Sequence, residues 1–270
     1  MTNLEMRVQT LLSKALGWAL FHSLWEGAAV TGVLFAALCV IRSSRIRYFA
    51  ACAAMLVVLG GFAVTLWRLM PDRTETAPAI LLAIPHAPPD EVQSPPQMLA
   101  QFQMAEILPW LAPFWIVGVF FFHLRSVASW MAARRLRNRG VCCAPDPWSR
   151  RLAQLGARMR LTKPVALLET CLAGVPVVIG HARPVILIPI GMLAGMPANQ
   201  IEAILLHELA HIRRRDYLAN LLQTIVEGFL FYHPAIWWIS SVIRAERENC
   251  CDDLAVATSG NAHEYAAALT

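Results

Sequence analysis

His207-Glu208-Leu209-Ala210-His211 is a spacing that can do chemistry. On a helix, residues four apart lie one turn above each other, so His207 and His211 can offer two imidazoles to a single metal ion. Glu208, one step round, then lies beside the ion's open position. There it can take a proton from a water that the ion has acidified, which is the chemistry of zinc hydrolases. The bland alternative is two solvated histidines with an incidental glutamate between them. Against it stands the flanking pattern. Pro197 suits a first turn, and Ile201, Ile204, Leu205, Leu209 and Ile212 recur at helical spacing, so the motif rides an amphipathic helix.

A catalytic zinc needs a third protein ligand, and the candidates lie in residues 244–253. Glu246 and Glu248 are two apart and face nearly opposite ways on a helix, so only one can serve. Glu248 has Asp252 four residues later on its own face, where a second carboxylate can accept the remaining N–H of a ligand imidazole. That favours Glu248, with Glu246 and the thiolates of Cys250 and Cys251 as open alternatives. His233, in Phe231-Tyr232-His233-Pro234, reads as a turn residue rather than a ligand.

The elements that must position these groups are unusually apolar. Hydrophobic residues make up 57% of the 270-residue chain and charged residues only 15%, too apolar for an ordinary soluble domain, so membrane spans are expected. The pattern divides into an external lead (1–17), a transmembrane helical hairpin (18–69), an external Pro-rich loop (70–105), a third transmembrane helix (106–131) and a cytoplasmic domain that carries the metal motif (132–270). The first apolar run is too long for a cleaved signal and reads as a retained span. It carries His22 and Glu26 on one face; a mutual hydrogen bond or a contact with a neighbouring helix is the plainer reading, and a functional role the sharper one.

Charge sets the orientation. The net charge of +5 is almost all arginine, with Arg42, Arg45 and Arg47 after the first run and nine basic residues between 134 and 163. The positive-inside rule places both clusters in the cytoplasm, and therefore the amino terminus and the Pro-rich loop outside. The same arginines suit anionic lipid, and no interleaving of basic and aromatic residues argues for a direct nucleic-acid partner. Seven cysteines, two vicinal pairs among them, make a poor disulfide framework and fit a reducing compartment.

Around the motif, the β-branched runs 165–168, 175–179 and 185–188 read as short strands joined by turns. A sheet edge beside a zinc helix can hold a peptide substrate as an added strand. Arg213, Arg214 and Arg215 suit a helix end, and Asp216 a cap for the next helix. Residues 217–239 are apolar but contain Glu227 and are divided by Pro234, so a buried or half-embedded helix is expected rather than a span.

From Gly174 onward, Val185-Ile186-Leu187-Ile188-Pro189, the His-Glu-Leu-Ala-His motif, Arg215-Asp216, Phe231-Tyr232-His233-Pro234 and the stretch from Arg247-Glu248 to Asp252 resemble the BlaR/MecR-type antirepressor metallopeptidases. Leu20-Phe21-His22-Ser23-Leu24-Trp25 in the first span is similar too. The resemblance implies an α-helical integral membrane protein of a bacterial-type inner membrane, with a cytoplasmic α+β zincin-like (gluzincin) metallopeptidase domain. It implies one Zn2+ per chain held by His207, His211 and Glu248, with Glu208 as general base. It further implies that an external signal triggers self-cleavage or cleavage of a cytoplasmic transcriptional repressor. Expected partners are membrane lipid and a peptide or protein substrate, with a second copy of the chain as a further candidate. Well-known members continue into another span and an external β-lactam-binding domain, whereas this sequence reaches Thr270 within a helical run, so the signal is not legible in it. Two rivals share these features: a housekeeping membrane zinc protease and a non-catalytic signalling scaffold.

Overall fold

The computed structural model describes residues 3–70, 95–180 and 183–260, together with His263, Tyr265 and Ala267. Three long helices come first: α1 (Asn3–Val40), α2 (Ser44–Leu69) and α3 (Pro95–Asn138). The segments Leu12–Val40, Ser44–Leu69 and Trp110–Asn138 are each long and apolar enough to cross a membrane. Their outward surfaces carry Trp25, Phe35, Trp67, Trp110, Phe114 and Phe120, all exposed. That is costly against water and is not against hydrocarbon.

The helices exceed the expected spans. α1 is continuous from Asn3, so most of the lead before residue 18 is helix, and α3 continues past residue 131 to Asn138 before Gly140 turns the chain at φ +63°. The expected loop at 70–105 is corrected for its last part, because α3 starts at Pro95. Pro95-Pro96 suits a first turn, and the following Gln, Met, Leu and Ala are good helix formers. The remainder of that loop, 71–94, lies outside the described residues.

Next comes a small sheet. Strands β1 (Val141–Cys143), β2 (Ala166–Thr170), β3 (Val177–Ile179) and β4 (Val185–Pro189) are ordered β1-β2-β4-β3. β2 and β4 run parallel, Leu168 opposite Leu187, and the edges β1 and β3 are antiparallel to their neighbours. The Val-Ile-Leu-Ile run of β4 is buried on both faces, as a central strand requires. β1 was not among the expected strands; its three residues are too few to show an alternating pattern. Around the sheet lie α4 (Asp146–Arg158), α5 (Met192–Gly195), α6 (Ala198–Arg214), α7 (Asp216–Phe229) and α8 (Pro234–Ser259).

Two apolar cores result. One joins Leu152 and Leu155 of α4, Ile186 and Ile188 of β4, and Ile201, Leu205 and Leu209 of α6. The other joins Ala19 of α1, Ala51, Met55 and Val58 of α2, and Val226 of α7. α8 belongs to both: Ile236, Ile239 and Ile243 pack with the spans, Cys251 and Ala255 with the sheet-side core.

Inside the hairpin, His22 and Glu26 do not pair with each other. Trp25 Nε1 donates to His22 Nδ1 at 3.1 Å, and Thr65 of α2 donates to Glu26 Oε1 at 3.0 Å. A helix-to-helix contact thus engages one oxygen of the carboxylate, and the other lies against Gly61, where a Cβ would meet it at 3.0 Å.

Candidate active site

α6 turns its apolar stripe, Ile201, Leu205 and Leu209, into the sheet-side core. A guanidinium fork fixes its start: Arg151 of α4 donates through Nε and Nη2 to the two oxygens of Glu202, each at 2.7 Å. With one face so committed, His207 and His211 look the other way, towards α8.

There the side chains converge. The Nε2 atoms of His207 and His211 lie 3.2 Å apart, and Glu248 Oε2 lies 3.3 Å from the first and 3.4 Å from the second. Three donor atoms so close, aimed at one point, suit a single ion that replaces their mutual contacts. Glu246 is elsewhere. It is buried against α2, where its carboxylate pairs with Arg47 at 2.7 Å and accepts from Asn249 at 3.1 Å. Two residues along a helix turn a side chain by about 200°, which separates the two glutamates.

Each imidazole is held from behind by a carboxylate. His207 Nδ1 donates to Asp252 Oδ1 at 2.8 Å, and that oxygen also accepts from the hydroxyl of Tyr265 at 2.9 Å. His211 Nδ1 donates to Asp216 Oδ2 at 2.8 Å. Such partners fix the tautomer, leaving both Nε2 lone pairs free for an ion. Asp252 was expected beside a ligand imidazole; Asp216 was expected as a helix cap, and that expectation is corrected. Arg215 precedes it in the left-handed conformation, φ 59° and ψ 41°, and this sharp turn points Asp216 back beneath His211 instead. The conformation costs a non-glycine residue on the order of 1 kcal/mol.

Asp216 is well supported as an anion. Burial pushes its carboxyl up, but the hydrogen bond from His211 and the Arg214 guanidinium outweigh that and hold it below the usual carboxylate range. Arg214 Nε donates to Asp216 Oδ1 at 3.2 Å and also stacks over the Tyr48 ring of α2, 5.0 Å from its centre. His211, Asp216 and Cys251 form a second cluster of possible ligand atoms, which is better read as hydrogen bonding. Cys251 donates to Asp216 at 3.3 Å, and burial raises its thiol well above the usual range, the reverse of what a thiolate ligand needs. Cys250 is buried towards the span-side core, and His233 caps α8 by accepting from the Ala235 N–H at 3.2 Å.

Glu208 completes the group. Burial pushes its carboxyl up, the His211 and His207 imidazoles pull it down, and the Glu248 charge raises it again, with a net rise. A carboxylate raised in this way is a better proton acceptor near neutral pH. Asp216 and Tyr265 are the members of this cluster that the motif did not announce. For Asp216 the signal was the Arg-Asp pair directly after the helix.

Comparison with known proteins places the chain in a family. The family described as BlaR1 peptidase M56 matches residues 29–270. The regulatory protein BlaR1 of Bacillus licheniformis is 30% identical over 94 residues, covering 35% of this chain and 16% of that protein. The methicillin resistance protein mecR1 of Staphylococcus aureus is 29% identical over 77 residues, covering 28% of this chain and 13% of that protein. The aligned stretches thus span less than a fifth of those relatives. The family match, in contrast, runs from within α1 through α2, α3, the sheet and the whole ligand cluster, and the chain belongs to the BlaR1 peptidase M56 family.

Proposed function

We propose that the chain is a membrane-embedded zinc metalloendopeptidase of the antirepressor signal-transducer type. The observation that carries this is the convergence of His207 Nε2, His211 Nε2 and Glu248 Oε2 within 3.4 Å, with both Nδ1 atoms tied to carboxylates. Two neutral imidazoles and one carboxylate are a donor set suited to Zn2+, so the residues fit the metal that the family implies.

When bound, zinc polarises the scissile carbonyl and acidifies a water. Glu208 accepts the proton from the attacking water and returns it to the leaving amine. Asp252 and Asp216 hold the ligand imidazoles in one tautomer and orientation. β3 is an edge strand beside α6, so a peptide can add to its free side in extended form, its backbone satisfied and its side chains loosely specified. The substrate bonds are in the chain itself, in a cytoplasmic repressor, or in both, and an external signal starts the reaction. In this topology the amino terminus is outside and residues 132–270 are cytoplasmic.

The test is a mass-spectrometric search for new peptide termini after the reconstituted chain is incubated with zinc and a mixed peptide pool. Wild-type protein should create termini that vanish with chelator and in Glu208→Ala. Identical termini from wild type and Glu208→Ala would defeat the proposal.

A further inference from the structure

α7 carries most of its large apolar side chains outward, while polar groups meet in its interface with α8, whose own isoleucines face the spans. Tyr217, Leu218, Leu221, Leu222, Ile225 and Phe229 are all exposed. Gln223 and Ser240 are buried between the two helices, where Gln223 Nε2 donates to the Ser240 carbonyl at 3.0 Å and the Ser240 hydroxyl bonds Glu227. Arg244 reaches the same carboxylate at 2.9 Å. A helix covering a soluble domain shows the reverse arrangement.

The neighbours set the depth. α1 and α8 run side by side in the same direction. His233 lies against Gly27, where a Cβ would come within 2.3 Å of the imidazole, and its Nε2 donates to the Ser23 carbonyl at 2.8 Å. Further along, Trp238 meets Phe35 with ring centres 6.5 Å apart, and Ala245 and Glu246 share a cleft with Cys39 and Arg47. From Gly27 to Val40 a helix rises about 20 Å, against a hydrocarbon thickness of about 30 Å. The corner at residues 230–233 therefore lies between half and two-thirds of the way across from the α1–α2 loop. α3 agrees. Phe231 stacks on Phe122 with ring centres 5.2 Å apart and abuts Gly118, well inside the third span.

We propose that α7, the corner after it and α8 as far as Glu246 form a re-entrant hairpin, inserted from the side of the α1–α2 loop, whose outward face is covered by lipid acyl chains. That face is continuous with the exposed apolar surface of the spans it packs on, which argues for lipid over a protein partner. Arg213 and Arg215, both exposed at the mouth of the hairpin, suit anionic headgroups. Glu248 follows Glu246 by only about 3 Å of helix rise, so the ligand cluster lies at headgroup level. None of this depends on the zinc chemistry proposed above.

The test installs a fluorescent amino acid by codon suppression at position 218, 221, 222, 229 or 253 of the full chain, in nanodiscs containing lipids brominated near the headgroup or near the acyl-chain end. Emission at 218 should fall most with the shallow bromines, and at 229 most with the deep ones. Positions 221 and 222 are expected in between, each serving as a check on the other, and 253 should lose intensity only to aqueous iodide. Iodide quenching at 222 and 229 with no effect of either lipid would overturn the insertion. Shallow quenching alone at both 218 and 229 would also overturn it, since that is the signature of a helix lying flat on the surface.

Discussion

Along α8, residues 234–246 pack against the spans through Ile236, Ile239 and Ile243, whereas Cys251 and Ala255 beyond them pack into the core beneath the sheet. Polar groups behave differently in the two stretches. In the first, on the face towards the spans, they are paired in the interior: the capping His233 with the Ser23 carbonyl, Glu246 with Arg47. In the second they face a cleft, and Glu248 keeps 49% of its side chain exposed. A carboxylate two residues away on the same helix is thus structural in one surrounding and available as a ligand in the other. Burial and partner, rather than residue type, separate the roles.

The largest effect expected along this divide is chemical. Glu208→Ala removes the proton acceptor and should lower peptide cleavage by about 10²–10⁴-fold while leaving bound zinc unchanged. Turnover within a few-fold of wild type would end the general-base role.

A finer distinction lies between the two imidazoles. Asp216→Asn and Asp252→Asn should each weaken zinc affinity, by about 10–100-fold, measured by competition with a chelating dye. The Asp216 change should be the larger, because that carboxylate is buried and also holds Arg214 and Cys251, whereas Asp252 is half-exposed. Equal affinities for wild type and both variants would show that these hydrogen bonds do not support the ligands.

On the span side the expected effects are mechanical. Gly27→Ala places a methyl group against the His233 ring, and a loss of about 1–3 kcal/mol is expected from unfolding in detergent. Glu246→Gln weakens the pair with Arg47, which is one-third exposed, and should cost about 1–2 kcal/mol with zinc retained. If Glu246→Gln lost zinc instead, the contrast between the two halves of α8 would fail.

Local patterns in the sequence foretold much of this. The spacing of His207 and His211, the apolar stripe of α6 and the β-branched runs depend on neighbours within one element, so they can be read from the chain alone. The expected strands at 165–168, 175–179 and 185–188 overlap β2, β3 and β4, shifted by one or two residues. Asp252 was legible beside Glu248 because both lie on one face of one helix. What was not legible depends on distant contacts. The turn at Arg215 that redirects Asp216 needs a positive φ, which arginine does not advertise. Tyr265 approaches His207 only through the fold, as its hydroxyl reaches Asp252. A buried or half-embedded helix at 217–239 was legible, but which side of α7 meets α3 depends on the fold, and an apolar run divided by a proline does not say.

The most direct measurement is the zinc content of the detergent-purified chain, compared among wild type, Glu248→Ala and Glu246→Ala. About one zinc per chain in wild type and in Glu246→Ala, with loss in Glu248→Ala, is the result expected of the ligand set His207, His211 and Glu248. Zinc retained in Glu248→Ala and lost in Glu246→Ala would contradict it, as would a wild-type chain that binds none.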